Sequence, residues 1–234
     1  MSRRFTIVLV LSFVSLALPA WADGQAGMDA YKRGDYATAL REWRPLAEQG
    51  DAGAQFYLGT LYAFGRGVPQ DYATARQWFE KAAAQGVAEP QYNLGLLYVE
   101  GQGVPQEYTK ARQWFEKSAV QGHARAQYNL GVLYDFGKGV HQDYATARQW
   151  YEKAAAQGHA AAQNNLGGLY EFGHGVTQDY VRAYMWYNVA AANSTGDAHK
   201  DVAAENRDEI AGRMTSAQIA EAQKLAREWK PLKK

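Results

Sequence analysis

One stretch repeats four times along this chain, each copy displaced by 36 residues without an insertion. Leu-Gly falls at 58–59, 94–95, 130–131 and 166–167, and Gly-x-Gly-Val at 65–68, 101–104, 137–140 and 173–176. Trp78, Trp114, Trp150 and Trp186 keep the same step. A fixed period of this length specifies a solenoid, in which each unit buries its apolar face against its neighbours. The expected class is all-α, a right-handed α-solenoid of helix-turn-helix units.

Within a unit, the first helix is expected over about 52–64 and the second over about 71–85. Glycines in Gly65-Arg-Gly-Val-Pro69 permit positive φ, and Pro69 blocks helix. Asp71, Glu107, Asp143 and Asp179 stand where a carboxylate caps the second helix. Gly86, Gly122 and Gly158 stand just beyond its end. At 100° per residue, Ala54, Leu58, Leu61 and Tyr62 share one arc of the first helix, with Gln55 and Gly59 beside it. Tyr72, Ala75, Trp78, Phe79, Ala82 and Ala83 form the buried face of the second. Arg76, Gln77, Glu80 and Lys81 form its wet face.

The ends differ from the middle. Arg3 and Arg4, the apolar run from Phe5 to Leu18 and the small-x-small sequence Ala20-Trp21-Ala22 read as an export signal over 1–22. The mature chain is then expected to begin at Asp23. It would carry a net charge of about −1, because residues 1–22 hold two arginines and no acid in a chain of formal charge +1. So small a charge gives no reason to expect nucleic acid as a partner. No integral membrane segment is expected after cleavage. Cysteine is absent, which excludes disulfides, a thiol nucleophile and thiolate zinc sites. Residues 23–50 read as a shorter capping unit without the Gly-x-Gly loop, and 51–192 as the four repeats. Residues 193–234 read as a linker and a C-terminal helix pair. In the fourth unit the wet positions become Tyr184, Met185, Asn188 and Val189. The helix pair, with Val202, Ile210 and Met214 inward, is expected to cover them. Thr215 and Gln218 form a capping box for the last helix.

The unit Ala-x-Ala-Gln-Tyr-Asn-Leu-Gly-x-Leu-Tyr-x-x-Gly-x-Gly-Val-x-Gln-Asp-Tyr-x-x-Ala-x-x-Trp resembles the Sel-1-like repeat, a relative of the tetratricopeptide repeat. The resemblance spans residues 52–192, and Met214–Gln223 resembles a C-terminal helix pair found in exported bacterial members. It implies an α-solenoid that scaffolds protein complexes, in the periplasm or outside the cell. A cysteine-rich subgroup is linked to β-lactam hydrolysis, and this chain departs from it in having no cysteine.

Residues that differ among the four copies mark the candidate site. One stripe of the first helix carries Phe56, Tyr92, Tyr128 and Asn164 at one position, and Thr60, Leu96, Val132 and Gly168 at the next. Ala63, Val99, Asp135 and Glu171 follow, with Gly53, Glu89, Arg125 and Ala161 at its start. The stripe is expected to lie opposite the core, either as a plain solvated face or as the groove that docks a protein or peptide. On the second reading, Tyr92, Leu96, Tyr128 and Val132 are anchors, and Arg125, Asp135 and Glu171 set charge selectivity. Alanine at Tyr92 and Tyr128 should then spare the fold.

No catalytic site, metal or cofactor is expected. The Gly-x-Gly loops lack the strand and the Lys-Ser/Thr of a phosphate loop. His-Glu-x-x-His, Gly-x-Ser-x-Gly and Ser-x-x-Lys are absent. His123 and His159 read as surface histidines one repeat apart. The sequon Asn193-Ser-Thr195 acts only in a glycosylating compartment.

Overall fold

The computed structural model describes residues 20–194 and 197–232. Most of the predicted export signal, residues 1–19, lies outside them, as do two residues of the 193–197 linker. Twelve helices and no strand occur among the described residues. The first pair is α1 (Ala20–Lys32) and α2 (Tyr36–Glu48). The four repeats follow as α3 (Ala52–Phe64) with α4 (Tyr72–Ala84), α5 (Ala88–Glu100) with α6 (Tyr108–Ala119), α7 (Ala124–Asp135) with α8 (Tyr144–Ala156), and α9 (Ala160–Phe172) with α10 (Tyr180–Asn193). The chain ends with α11 (Asp197–Ala211) and α12 (Ser216–Glu228). From α1 to α11 each helix packs on the next in sequence, α12 packs on α10, and α7 also reaches α9. With Tyr92 against His123 and Tyr128 against His159, first helices of successive repeats come together as an inner layer.

The helix ends follow from short side chains at the right positions. Asp71, Asp143 and Asp179 accept backbone N–H bonds and cap α4, α8 and α10. Glu107, one methylene longer, makes no cap bond and pairs with Lys110 instead. Asp51, His123 and His159 cap α3, α7 and α9 through the N–H three residues on. At the same place in the second repeat stands Val87, which has no acceptor. The residue whose N–H it would take is Pro90, which has none, so that position needs no capping acceptor.

Two contacts of the glycines that recur in every repeat set the geometry within and between repeats. A Cβ on Gly59 would stand 2.7 Å from the Phe79 ring. The same arrangement recurs with Gly95 and Phe115, Gly131 and Tyr151, and Gly167 and Tyr187. The glycine therefore lets the second helix lay its central ring on the first helix's backbone. In the shorter N-terminal unit the partners are Gly27 and Trp43. Gly67, at φ 72°, lies against the backbone of Tyr36, and Gly103, at φ 68°, against that of Tyr72. Each loop thus rests on the start of the preceding unit's second helix.

A ladder of amides runs through the core. Gln55, Gln91, Gln127 and Gln163 are buried, and each donates to a carbonyl of the preceding helix: Ala47, Ala83, Ala119 and Ala155. Each also accepts from the end of its own repeat, from Gln85, Gln121, Gln157 and Asn193. Buried amides need both halves satisfied, and here they are.

The C-terminal pair packs on α10. Tyr184, Met185 and Val189 are buried there, and Ile210 and Ala222 are fully enclosed. Upstream, Lys81, Lys117 and Lys153 lie about 4 Å over Trp78, Trp114 and Trp150. In the fourth repeat Val189 replaces the lysine, and Trp229 meets Trp186 edge-on at 6.1 Å. Val202, expected inward, is 49% exposed, and Ala203 takes its place in the core. The tail then turns back: the Leu232 N–H donates to the Ala156 carbonyl at the end of α8. Among the described residues no helix is long and apolar enough to cross a membrane.

Candidate functional site

The variable stripe lies on the inner layer, but it is not opposite the core. Phe56, Tyr92 and Tyr128 are half-buried. Their ring centroids stand 6.1, 5.9 and 5.9 Å from those of Phe79, Phe115 and Tyr151. Leu96 and Val99 pack on the cluster of α6 and α7, and Val132 packs on that of α8 and α9. The reason is lateral. A first helix is flanked by its own second helix and by the first helix of the next repeat, and together these close over much of its circumference. Burial pushes the Tyr92 and Tyr128 hydroxyls up from their ordinary range. Alanine at these two positions therefore removes packing, contrary to expectation.

Two clefts open along the stripe. The upstream one, about 370 Å³, is bordered by Phe56, Thr60, Phe64, Leu96, Glu89 and Arg125. The downstream one, about 480 Å³, contains Asp135, Asn164 and Glu171. Tyr92, Val99, Tyr128 and Val132 form the packed ground around these openings. Both clefts are edged by rings that lie outside the variable stripe. Phe64, Phe136 and Phe172 occupy the same repeat position, at or just beyond the end of the first helix, and are 65%, 63% and 61% exposed. Glu100 stands there in the second repeat. The signal for them was present in the sequence: a large apolar residue recurring immediately before or within a glycine turn.

His123 and His159 are built into the site. Nδ1 of each accepts an N–H at the start of the following helix, from Ala126 at 3.2 Å and Ala162 at 3.3 Å. The rings lie on Tyr92 and Tyr128, both at 4.7 Å. His123 donates from Nε2 to Glu89 at 2.7 Å, which holds the Glu89 carboxyl below its usual range despite partial burial. One period on, Arg125 occupies the place of Glu89. Burial, and then the charge of Arg125, hold His159 below the ordinary imidazole range.

The downstream cleft contains two oriented carboxylates. Asp135 accepts from the Tyr151 hydroxyl at 3.0 Å, and that hydroxyl accepts from Asn165 at 3.0 Å. Burial raises the Asp135 carboxyl above its usual range. Glu171 accepts from the Tyr187 hydroxyl at 2.7 Å and pairs with Arg213 at 3.4 Å. Asn206 donates to Asn164 at 3.0 Å. Two expected partner-binding residues, Asn164 and Glu171, are thus engaged by the C-terminal segment, and Glu171 is only 7% exposed. The sequence placed that segment on α10 alone, whereas it also reaches across to α9. No group of three or more carboxylates and imidazoles that could hold a metal ion occurs among the described residues.

Comparison with known families gives a model for the Sel1 repeat that matches residues 52–87, 89–123, 124–159 and 160–194. The chain belongs to the Sel1 repeat family. Among solved structures, a Sel1 repeat protein from Oxalobacter formigenes is 30% identical, with a TM-score of 0.75 over 88% of this chain and 82% of that one. A putative Sel1 repeat protein from Klebsiella pneumoniae subsp. pneumoniae is 23% identical, with a TM-score of 0.53 over 82% of this chain and 93% of that one. Pseudomonas aeruginosa pilF shares the fold at 18% identity, with a TM-score of 0.58 over 88% and 96% of the two chains. No curated protein matches. Sel1 repeat proteins typically mediate protein–protein interaction, and the fold is generally a non-enzymatic scaffold.

Proposed function

We propose that this Sel1 repeat protein is an exported, non-enzymatic adaptor that docks a protein or peptide along its inner layer. The observation that carries the reading is the spacing of exposed rings, Phe64, Phe136 and Phe172, on the borders of two clefts that bridge neighbouring repeats. Arg66 lies over Phe64 and His174 beside Phe172, yet all three rings stay mostly open beside the clefts, and such surface is typical of association sites. Leu96, Thr60 and Arg125 line the upstream opening and complete the contact surface.

Serine at Phe64, Phe136 and Phe172 together is the test. Partner capture is lost while the melting temperature stays close to that of the parent. Undiminished capture by a folded triple variant contradicts the assignment of the face.

Export belongs to the same proposal. A cut after Ala22 keeps two α1 groups that hold the N-terminal unit, since Gly24 accepts from the Trp43 indole and Gly27 lies beneath that ring. Protein recovered from periplasm or medium should begin at Asp23 by mass. An uncut chain in the cytoplasmic fraction overturns export. The same fractionation separates a periplasmic adaptor from a secreted protein acting on another cell.

A further inference from the structure

The four repeats supply their own controls. Where α3 and α5 carry Ala63 and Val99, α7 and α9 carry Asp135 and Glu171. The facing residue of the second helix changes with them, from Phe79 and Phe115 to Tyr151 and Tyr187, and each new hydroxyl donates to the new carboxylate. The first two repeats build the same helix pair without either group. Carboxylate and hydroxyl are therefore additions to the fold, not requirements of it.

Glu171 is answered from within the chain. The Arg213 guanidinium reaches it at 3.4 Å and is held on its other side by Glu209 at 2.8 Å. Asp135, one period earlier, forms no ion pair among the described residues, although burial opposes its charge. The basic group that faces it is the His174 imidazole, stacked on Tyr144 at 4.4 Å. Phe136 and Phe172 border the same cleft with most of their surface open. The cleft lining contains three acids, Asp135, Glu171 and Glu209, against Arg213, in a chain of net charge +1. Its negative field is local.

We propose that the downstream cleft receives an arginine side chain of the docked polypeptide, seated on Asp135 as Arg213 is seated on Glu171, with an exposed phenylalanine ring against the guanidinium face. This deepens the docking reading above and rests on it. Arginine fits better than lysine because its planar fork pairs with a carboxylate and stacks on a ring at once, and because it is more weakly hydrated. The amides of Asn165 and Asn206 stand at the same opening, each with one N–H given, to Tyr151 and Asn164 respectively, and its amide oxygen left to meet an extended main chain.

The test uses fluorescein-labelled short peptide pools, degenerate except for a fixed central arginine, lysine, citrulline or glutamate, titrated with the full-length chain by anisotropy. Citrulline keeps the shape of arginine and removes its charge. The arginine pool binds at least about tenfold more tightly than the citrulline pool, as a charged hydrogen bond predicts. Asp135→Asn abolishes that preference without loss of melting temperature, while Glu80→Gln on an outer helix leaves it intact. Equal binding of the arginine and citrulline pools overturns the inference, as does a preference that survives Asp135→Asn or binding by none of the pools. If partner capture still depends on the three phenylalanines, such results remove the arginine specificity alone. Loss of both removes the docking reading as well.

Discussion

Tyr151 donates its hydroxyl hydrogen to Asp135 at 3.0 Å, across the contact that joins the two helices of the third repeat. The bond orients a carboxylate that burial otherwise disfavours. A folded-state carboxyl raised above its unfolded value costs stability once ionised, so the cost grows as pH rises through that value and is absent below the unfolded one.

Asp135→Asn removes this cost and keeps an oxygen for Tyr151. The variant is expected to match or exceed the parent at pH 7 by up to about 1 kcal/mol, with the gain gone near the unfolded aspartate pKa of about 3.9. Urea unfolding at the two pH values measures it. A clear loss at pH 7 would mean that the carboxylate holds the repeat together.

Gly167 and Gly168 are neighbours with opposite expectations. A Cβ on Gly167 would meet the Tyr187 ring at 2.5 Å, whereas one on Gly168 has only the Tyr187 hydroxyl at 3.7 Å. Gly167→Ala should destabilise by about 2 kcal/mol or more through overpacking. Gly168→Ala should stabilise by about 0.5–1 kcal/mol, since alanine is the better helix residue. Thermal melts of the two variants decide, and equal effects would contradict the packing described.

Gln163 is fully enclosed, donating to the Ala155 carbonyl and accepting from Asn193. Leucine there removes both bonds; the Ala155 carbonyl keeps the Gly158 N–H, while the half-buried Asn193 amide loses its acceptor, at a cost of about 1–3 kcal/mol. Gln163→Leu combined with Asn193→Ala should cost less than the sum of the single changes. Strict additivity in denaturant unfolding would show that the ladder is not coupled.

His159 caps α9 as a neutral ring whose folded pKa is depressed by burial and by Arg125. Below the unfolded value of about 6.5 the unfolded chain takes up a proton that the native site refuses, so stability falls as pH drops from 7 to 5. Asparagine keeps a capping oxygen and does not titrate. His159→Asn should lose less stability than the parent over that interval, as measured by urea midpoints. An identical pH dependence in both proteins would exclude His159 as its source.

The period makes the architecture legible in the sequence, because a unit repeated without insertion must stack on itself. The capping box at Thr215 and Gln218 and the glycine turns were equally local, and they form as expected. What escaped the sequence depended on the third dimension. Helical-wheel reasoning treats one helix against one neighbour, so it placed Tyr92 and Tyr128 in solvent. In the stack, Phe115 and His123 close on one ring, and Tyr151 and His159 on the other. The reach of Arg213 to Glu171 spans 42 residues outside the period, and no spacing rule announces it. Phe64, Phe136 and Phe172 were visible as a recurrence, but a residue at a helix end belongs to neither face of a wheel.

A photo-crosslinking side chain placed at Phe136, compared with the same group at the exposed Gln77 on an outer helix, tests the central claim most directly. Introduced into cells that make the full chain, the Phe136 probe should yield a discrete crosslinked protein on irradiation, and the Gln77 probe should not. Crosslinking from Gln77 alone, or equal and diffuse products from both positions, would contradict docking on the inner layer.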